Sequence, residues 1–315
     1  MVTSLTMPVF GEIPAVVSNL MFMRPERDEA FWEAVKEVLY TVRSLSVNHN
    51  SGQYWIGRAP TGDYFVRLTQ FFINETDADE ADGKFSALLE SLQRHGIAGD
   101  LQSTAYARLS SFLAIPQGEF VGGIPFHQEN ILIPRESYDR PEGPAQMVDR
   151  LAALDLRPGD TWVANTLGGR VATNGDVVNN AMHPGWRTAA ILLVGNRVFE
   201  PTLKDQRDVQ RRVTSVEGPV LQSISQPSPV AMYLNEADSE LAAWQQWFWG
   251  EKYNRLREIK KKWDPEGLFI VRHGVGSEDW DDDGMCRVDG WTEFDPLWCL
   301  YQPLECGRRY IPGLV

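Results

Sequence analysis

Between residues 15 and 107 the spacing of apolar side chains changes in the order strand, helix, strand, strand, helix, strand, and that order leaves few folds open. The apolar run 15–23 is bounded by Pro14 and Pro25 and is short enough for a strand. Over 26–45, Phe31, Trp32, Val35, Val38, Leu39, Val42 and Leu45 form one helical stripe behind an acidic first turn. Segments 53–57 and 64–73 read as paired strands, joined at 58–63 by residues that favour a turn. Thr76, with Asp79 three residues on, reads as a helix start. The helix it opens carries Phe85, Leu88, Leu89 and Leu92 on one face and ends at Gly96. A strand at 101–107 follows. Such an order predicts an α+β chain, an antiparallel sheet with helices packed on one face.

The pattern thins after a glycine-rich loop at 116–125. Residues 131–133 predict a short strand, 138–144 an exposed connection and 145–154 a helix. Segments 161–171 and 187–198 are strand candidates, 203–213 a helix with a thin apolar face, and 218–229 an irregular crossing. Asp238 is placed to cap a helix bearing Leu241, Trp244, Trp247 and Phe248, which Gly250 breaks. Tyr253, Leu256 and Ile259 continue on a second helix whose end carries Lys260, Lys261 and Lys262, and Asp264-Pro265 stops it. The chain therefore closes with a helical return segment.

Charge narrows the partners. A net charge of −13 repels phosphate backbones, and the one concentrated basic run, 252–262, is short, so nucleic acid is not expected. No apolar run reaches bilayer length, so no membrane partner is expected. The N-terminus has no basic region before its apolar residues and holds two prolines, which points by default to the cytoplasm. Cys286, Cys299 and Cys306 are too few for a disulfide framework and have no histidine among them for a zinc site. The run 279–284 begins like a calcium loop, but its twelfth position is Gly290 where a bidentate Glu is needed, so no metal is expected. Gly274 and Gly276 make only part of a dinucleotide fingerprint. His127 beside Glu129 reads as surface chemistry.

Three stretches near the end carry a family likeness. YLNEAD at 233–238, WFWGEKYNRLREIKKKWDPEGLF at 247–269 and GVGSEDW at 274–280 resemble the C-terminal signature of the berberine-bridge-enzyme-like FAD-linked oxidoreductases of the vanillyl-alcohol-oxidase superfamily. LGGRVA at 167–172 and HPGWR at 183–187 resemble the segments that precede it. The resemblance implies a substrate domain over 1–232 and a C-terminal segment over 233–315 that packs on a flavin domain. It implies FAD as cofactor and hydride transfer from a small organic substrate in secondary metabolism. The histidine that often anchors the flavin follows a glycine pair in that family. Here the pairs Gly122-Gly123 and Gly168-Gly169 are followed by Ile124 and Arg170. The chain begins about where the flavin domain would end, so a separately encoded flavin-binding domain is an expected partner.

By the same resemblance, Tyr233 and Asn235 match the motif that lies against the flavin, and Trp186 and Arg187 lead into the strand that faces substrate. The strand at 188–195 offers nothing titratable, which leaves Tyr233 and His183 as candidate proton acceptors. A non-catalytic binding or scaffold protein, or a flavin-free cyclase or isomerase, is the alternative reading.

Overall fold

A computed structural model describes residues 4–6, 11–47, 50–114, 123–175, 177–226, 228, 230–281 and 284–288. The chain divides into two compact units, Met1–Gly250 and Glu251–Val315.

The first unit is built on seven strands: β1 (Ala15–Arg24), β2 (Ser51–Arg58), β3 (Tyr64–Ile73), β4 (Asp100–Tyr106), β5 (Phe126–Pro134), β6 (Thr161–Thr166) and β7 (Ala189–Val198). They form one antiparallel sheet in the order β4-β1-β3-β2-β6-β7-β5. The α+β expectation holds. The main helices are α1 (Glu29–Leu45), α2 (Ala78–Gly83) and α3 (Ser86–Arg94), followed by the short α4 (Leu109–Leu113) and α5 (Arg135–Tyr138). Then come α6 (Gly143–Ala152), two single turns α7 (Arg170–Thr173) and α8 (Gly185–Thr188), α9 (Leu203–Arg212), α10 (Gly218–Ile224) and α11 (Trp244–Trp249).

One face of the sheet carries the core. Register brings Leu20 beside Leu68 and Tyr54, and Phe22 beside Val66 and Ile56, because side chains two apart share a face. The stripe of α1 closes over them, with Phe31, Val35, Val38, Leu39 and Val42 fully buried and Phe22 meeting Phe31 edge to face at 6.3 Å. α1 also packs against α3 and α6.

Several local expectations need correction. The helix start near 76 is capped by Asp77, whose carboxylate accepts from the Asp79 and Glu80 N–H groups, and the predicted single helix is two. Residues 138–144 are not simply exposed, because Tyr138 is buried with its hydroxyl donating to the Leu39 carbonyl at 3.1 Å. The irregular crossing at 218–229 is largely helix: α9 runs through a π-helical segment, Val213–Glu217, into α10. The short strand at 131–133 is nine residues long. Asp238 does not start a helix at 239. It accepts from the Glu240 N–H in a turn, and α11 begins only at Trp244.

In the second unit, α12 (Tyr253–Trp263) ends on Lys260, which pairs with Asp264, while Asp264 also accepts from the Leu268 and Phe269 N–H groups at 2.7 and 3.0 Å. That stop matches the sequence reading. Trp263, Leu268, Phe269 and Val271 are all more than 60% exposed, an apolar surface beyond the helix end. Residues 279–284 lie partly outside the described residues, Cys299 and Cys306 lie wholly outside them, and Cys286 is exposed. No group of metal-ligating side chains occurs among the described residues.

Candidate functional site

The opposite face of the sheet carries polar and aromatic rows. One row crosses four strands as Asn19, Thr69, Gln53 and Asn165, with Thr69 Oγ1 donating to Asn19 at 2.8 Å and Gln53 Nε2 donating to Asn165 at 2.7 Å. The next row is Met21, Arg67, Trp55, Val163 and Val194, and the Arg67 guanidinium lies 5.0 Å from the centre of the Trp55 ring. Met21 and Met23 remain at least 40% exposed at its β1 end. Amide and hydroxyl groups here bond one another across strands, which keeps the rows in register.

At the β5 end this face is covered by two short segments. Leu132, Ala189, Leu192, Val194 and Ala231 form a buried cluster, with Leu167, Trp186 and Tyr233 packed against it. Residues 231–233 run beside β5: the Leu132 N–H donates to the Ala231 carbonyl and the Met232 N–H to the Trp247 carbonyl, both at 2.9 Å. The Tyr233 ring meets Trp186 edge to face. Asn235 is exposed, and its Nδ2 donates to the Tyr233 hydroxyl at 2.6 Å. The phenol oxygen is thus an acceptor of one bond, and its own proton is left for another acceptor. Burial holds the neighbouring Glu236 carboxyl above its ordinary range.

Tyr233, Asn235 and Trp186 are therefore brought together. His183 and Arg187 lie on the adjoining side, where they line a cavity of about 540 Å³ with Leu132, Arg135, Glu136 and Thr188. His183 is 7% exposed, and its Nδ1 accepts from the Gly185 N–H at 2.8 Å, which fixes the ring's orientation. Arg187 is turned back to the Val171 carbonyl at 2.8 Å and the Asn174 side chain.

Sequence reasoning missed a buried ionic cluster behind the sheet. Arg197 is fully buried, 3.8 Å from the Trp162 ring centre, and bonds Glu217 at 2.7 Å. Glu129, read as surface chemistry, is 3% exposed and lies 3.7 Å from Arg197. Burial, then the adjacent Glu217, hold the Glu129 carboxyl well above the carboxylate range. At Glu217 burial pushes the other way from the outcome: the Glu129 hydrogen bond and the Arg197 charge outweigh it and lower its pKa. Arg212 pairs with both Glu217 and Asp160. His127 is apart from this cluster, stacked on Phe199 at 4.7 Å. The signal available in sequence was an acid and an amide, Glu129 and Asn130, ahead of an unbroken apolar run, since buried polar groups need partners.

A seven-stranded antiparallel sheet with helices packed on its core face is a fold shared with vanillyl-alcohol-oxidase-type flavoproteins. The fold matches that of a VAO-type flavoprotein from Myceliophthora thermophila C1 with a TM-score of 0.69 at 23% identity, over 88% of this chain and 50% of that one. The family described as "Berberine and berberine like" matches residues 232–276. The chain is 64% identical over its full length to the FAD-linked oxidoreductase notD of an Aspergillus species, of which it covers 52%. It is 34% identical over 91% of its length to the FAD-linked oxidoreductase easE of Arthroderma otae, of which it covers 47%. The chain is thus similar to berberine-bridge-like FAD-linked oxidoreductases, and it spans about half the length of the curated relatives it matches.

Proposed function

We propose that this chain supplies the substrate-facing half of an FAD-linked oxidoreductase acting on a small organic molecule in secondary metabolism. The observation that carries the reading is the Tyr233–Asn235 pair, with Tyr233 half-buried and Asn235 exposed at the β5 end of this sheet face, braced by Trp186. That rim fits one wall of an isoalloxazine site, because a phenol and an amide beside open apolar surface can meet a planar heterocycle by edge and face. The described glycine pair Gly168-Gly169 leads only into the four-residue α7, which does not fit a pyrophosphate. The phosphate end of the cofactor would thus be held by a flavin-binding segment, on this polypeptide or separately encoded. Segment 233–315 would pack against it, and exposed Trp263, Leu268, Phe269 and Val271 suit such a surface.

FAD, when bound, would supply the hydride acceptor. The protein's own groups do the rest. The sheet rows around Trp55, Gln53 and Asn165 hold the substrate against the rim. Tyr233 is the polar group placed at the rim to take part in proton transfer from substrate, and the Asn235 N–H orients its hydroxyl. His183 and Arg187 line the adjoining cavity, where substrate would meet them.

The test is to express the chain alone and together with the flavin-binding region of the notD relative, then look for visible flavin absorbance and its bleaching by substrate without oxygen. Flavin retained and bleached supports the proposal. No flavin in any combination overturns it. The 540 Å³ cavity, formed wholly by the first unit, favours a second reading as a flavin-free binding protein. Thermal stabilisation by a ligand with no flavin present would support that alternative.

A further inference from the structure

We propose that Asn130 is a positioning residue that fixes Tyr233, a role that rests on the proposed function of that tyrosine. Asn130 is 1% exposed in β5 and sits in the row of Val163 and Val194, facing the same side of the sheet as Tyr233. Its carboxamide makes two bonds to one residue. Nδ2 donates to the Tyr233 carbonyl at 2.7 Å, and Oδ1 accepts from the Tyr233 N–H at 2.8 Å.

Two bonds to the N–H and C=O of one residue constrain its peptide planes as a strand neighbour would. Two residues earlier, the chain is joined to β5 by backbone alone, through Leu132 and Ala231. At Tyr233 the side chain of Asn130 takes over, so the tyrosine is held at the sheet edge while the chain turns away into Leu234–Glu236. The arrangement uses both halves of the amide. Asp, when ionised, keeps only the acceptor and places a charge against a carbonyl. Asp, when protonated, restores both bonds.

That difference supplies a test that packing alone would not pass. Tyr233 is replaced with 3-fluorotyrosine and its ¹⁹F resonance followed in wild type, Asn130→Ala and Asn130→Asp between about pH 5 and pH 7.5, where a buried Asp is expected to titrate. Glu129, Asp238 and Glu240 share the cavity beside Asn130, so the same titration in the Glu129→Gln background separates Glu129's proton from the new one. The expected result is a single wild-type line, a shifted or broadened line in Asn130→Ala at every pH, and an Asn130→Asp line that returns to the wild-type position only on acidification. A wild-type line in Asn130→Ala, or no return in Asn130→Asp, overturns the clamp.

The second readout is turnover in the flavin-loaded assembly. There Asn130→Ala should lower kcat by about tenfold or more with KM little changed, the signature of a misplaced group. Unchanged kcat with a moved resonance overturns the functional half of the proposal. If wild type itself holds no flavin, the oxidoreductase reading fails, and the resonance still decides the clamp.

Discussion

The Trp186 ring stands nearly perpendicular to the Tyr233 ring, at 87°, with centroids 5.5 Å apart. Trp186 reaches that position because α8 opens with a turn in which its N–H donates to the His183 carbonyl, 3.1 Å away. Edge-to-face pairs add about 0.5–1.5 kcal/mol beyond area, and a partly buried Trp adds packing to that. Trp186→Ala should therefore cost roughly 1–3 kcal/mol in urea unfolding, with Trp186→Phe recovering most of it. Equal losses in both variants would show that the ring contact contributes nothing of its own.

How much of this was legible before folding depends on range. Local periodicity placed α1 and β3 because their apolar residues repeat at 3.6 and 2.0 positions whatever lies across from them. Asp264 before Pro265 announced its stop for the same reason. Glu129 and Asn130 could not be read that way. Their partners, Arg197, Glu217 and Tyr233, lie far along the chain, and only the sheet register and the π-helical segment bring them together. Tyr233 and Asn235 were reached through family likeness, whereas the support of Tyr233 by Asn130 needed the fold.

Arg197 is the group on which the hidden ionic cluster depends. It serves Glu217, the Thr161 and Asn196 carbonyls and the Trp162 ring at once. Removing one partner from a buried pair leaves an uncompensated charge and typically costs about 3–5 kcal/mol. Arg197→Met should lose that much in chemical denaturation. Arg197→Met combined with Glu217→Gln should lose less than Arg197→Met alone, because the buried carboxylate then left with Arg212 as its one cationic partner is gone. A double variant less stable than the single would contradict this account.

Gly250 closes α11 with φ 57° and ψ −139°, backbone that a side chain adopts only under strain. A Cβ there would also sit 2.7 Å from His183 Nε2. Gly250→Ala should cost about 1–3 kcal/mol for the backbone alone. It should also displace the His183 ring, visible as a changed imidazole signal by NMR. The loss of stability with an unmoved His183 would leave only the backbone term standing.

Stability should also depend on pH through Glu129. Its folded pKa lies above its unfolded value, chiefly from burial, so its contribution is complete below the ordinary Glu range and is lost as pH rises through the folded value. Asp160, also raised by burial, acts with the same sign. Glu217 acts oppositely, since its lowered pKa contributes stability that fades as pH falls below the ordinary range. Together these favour the ordinary carboxylate range, with a decline above it of no more than about 1.4 kcal/mol per pH unit for each proton. Glu129→Gln keeps the shape and has no proton to lose. It should flatten the alkaline decline, leaving the shares of Asp160 and Glu236, while the acid limb to which Glu217 contributes persists. Urea midpoints measured across that range and above it decide the matter: an alkaline slope in Glu129→Gln as steep as in wild type would mean that Glu129 is already charged beneath Arg197.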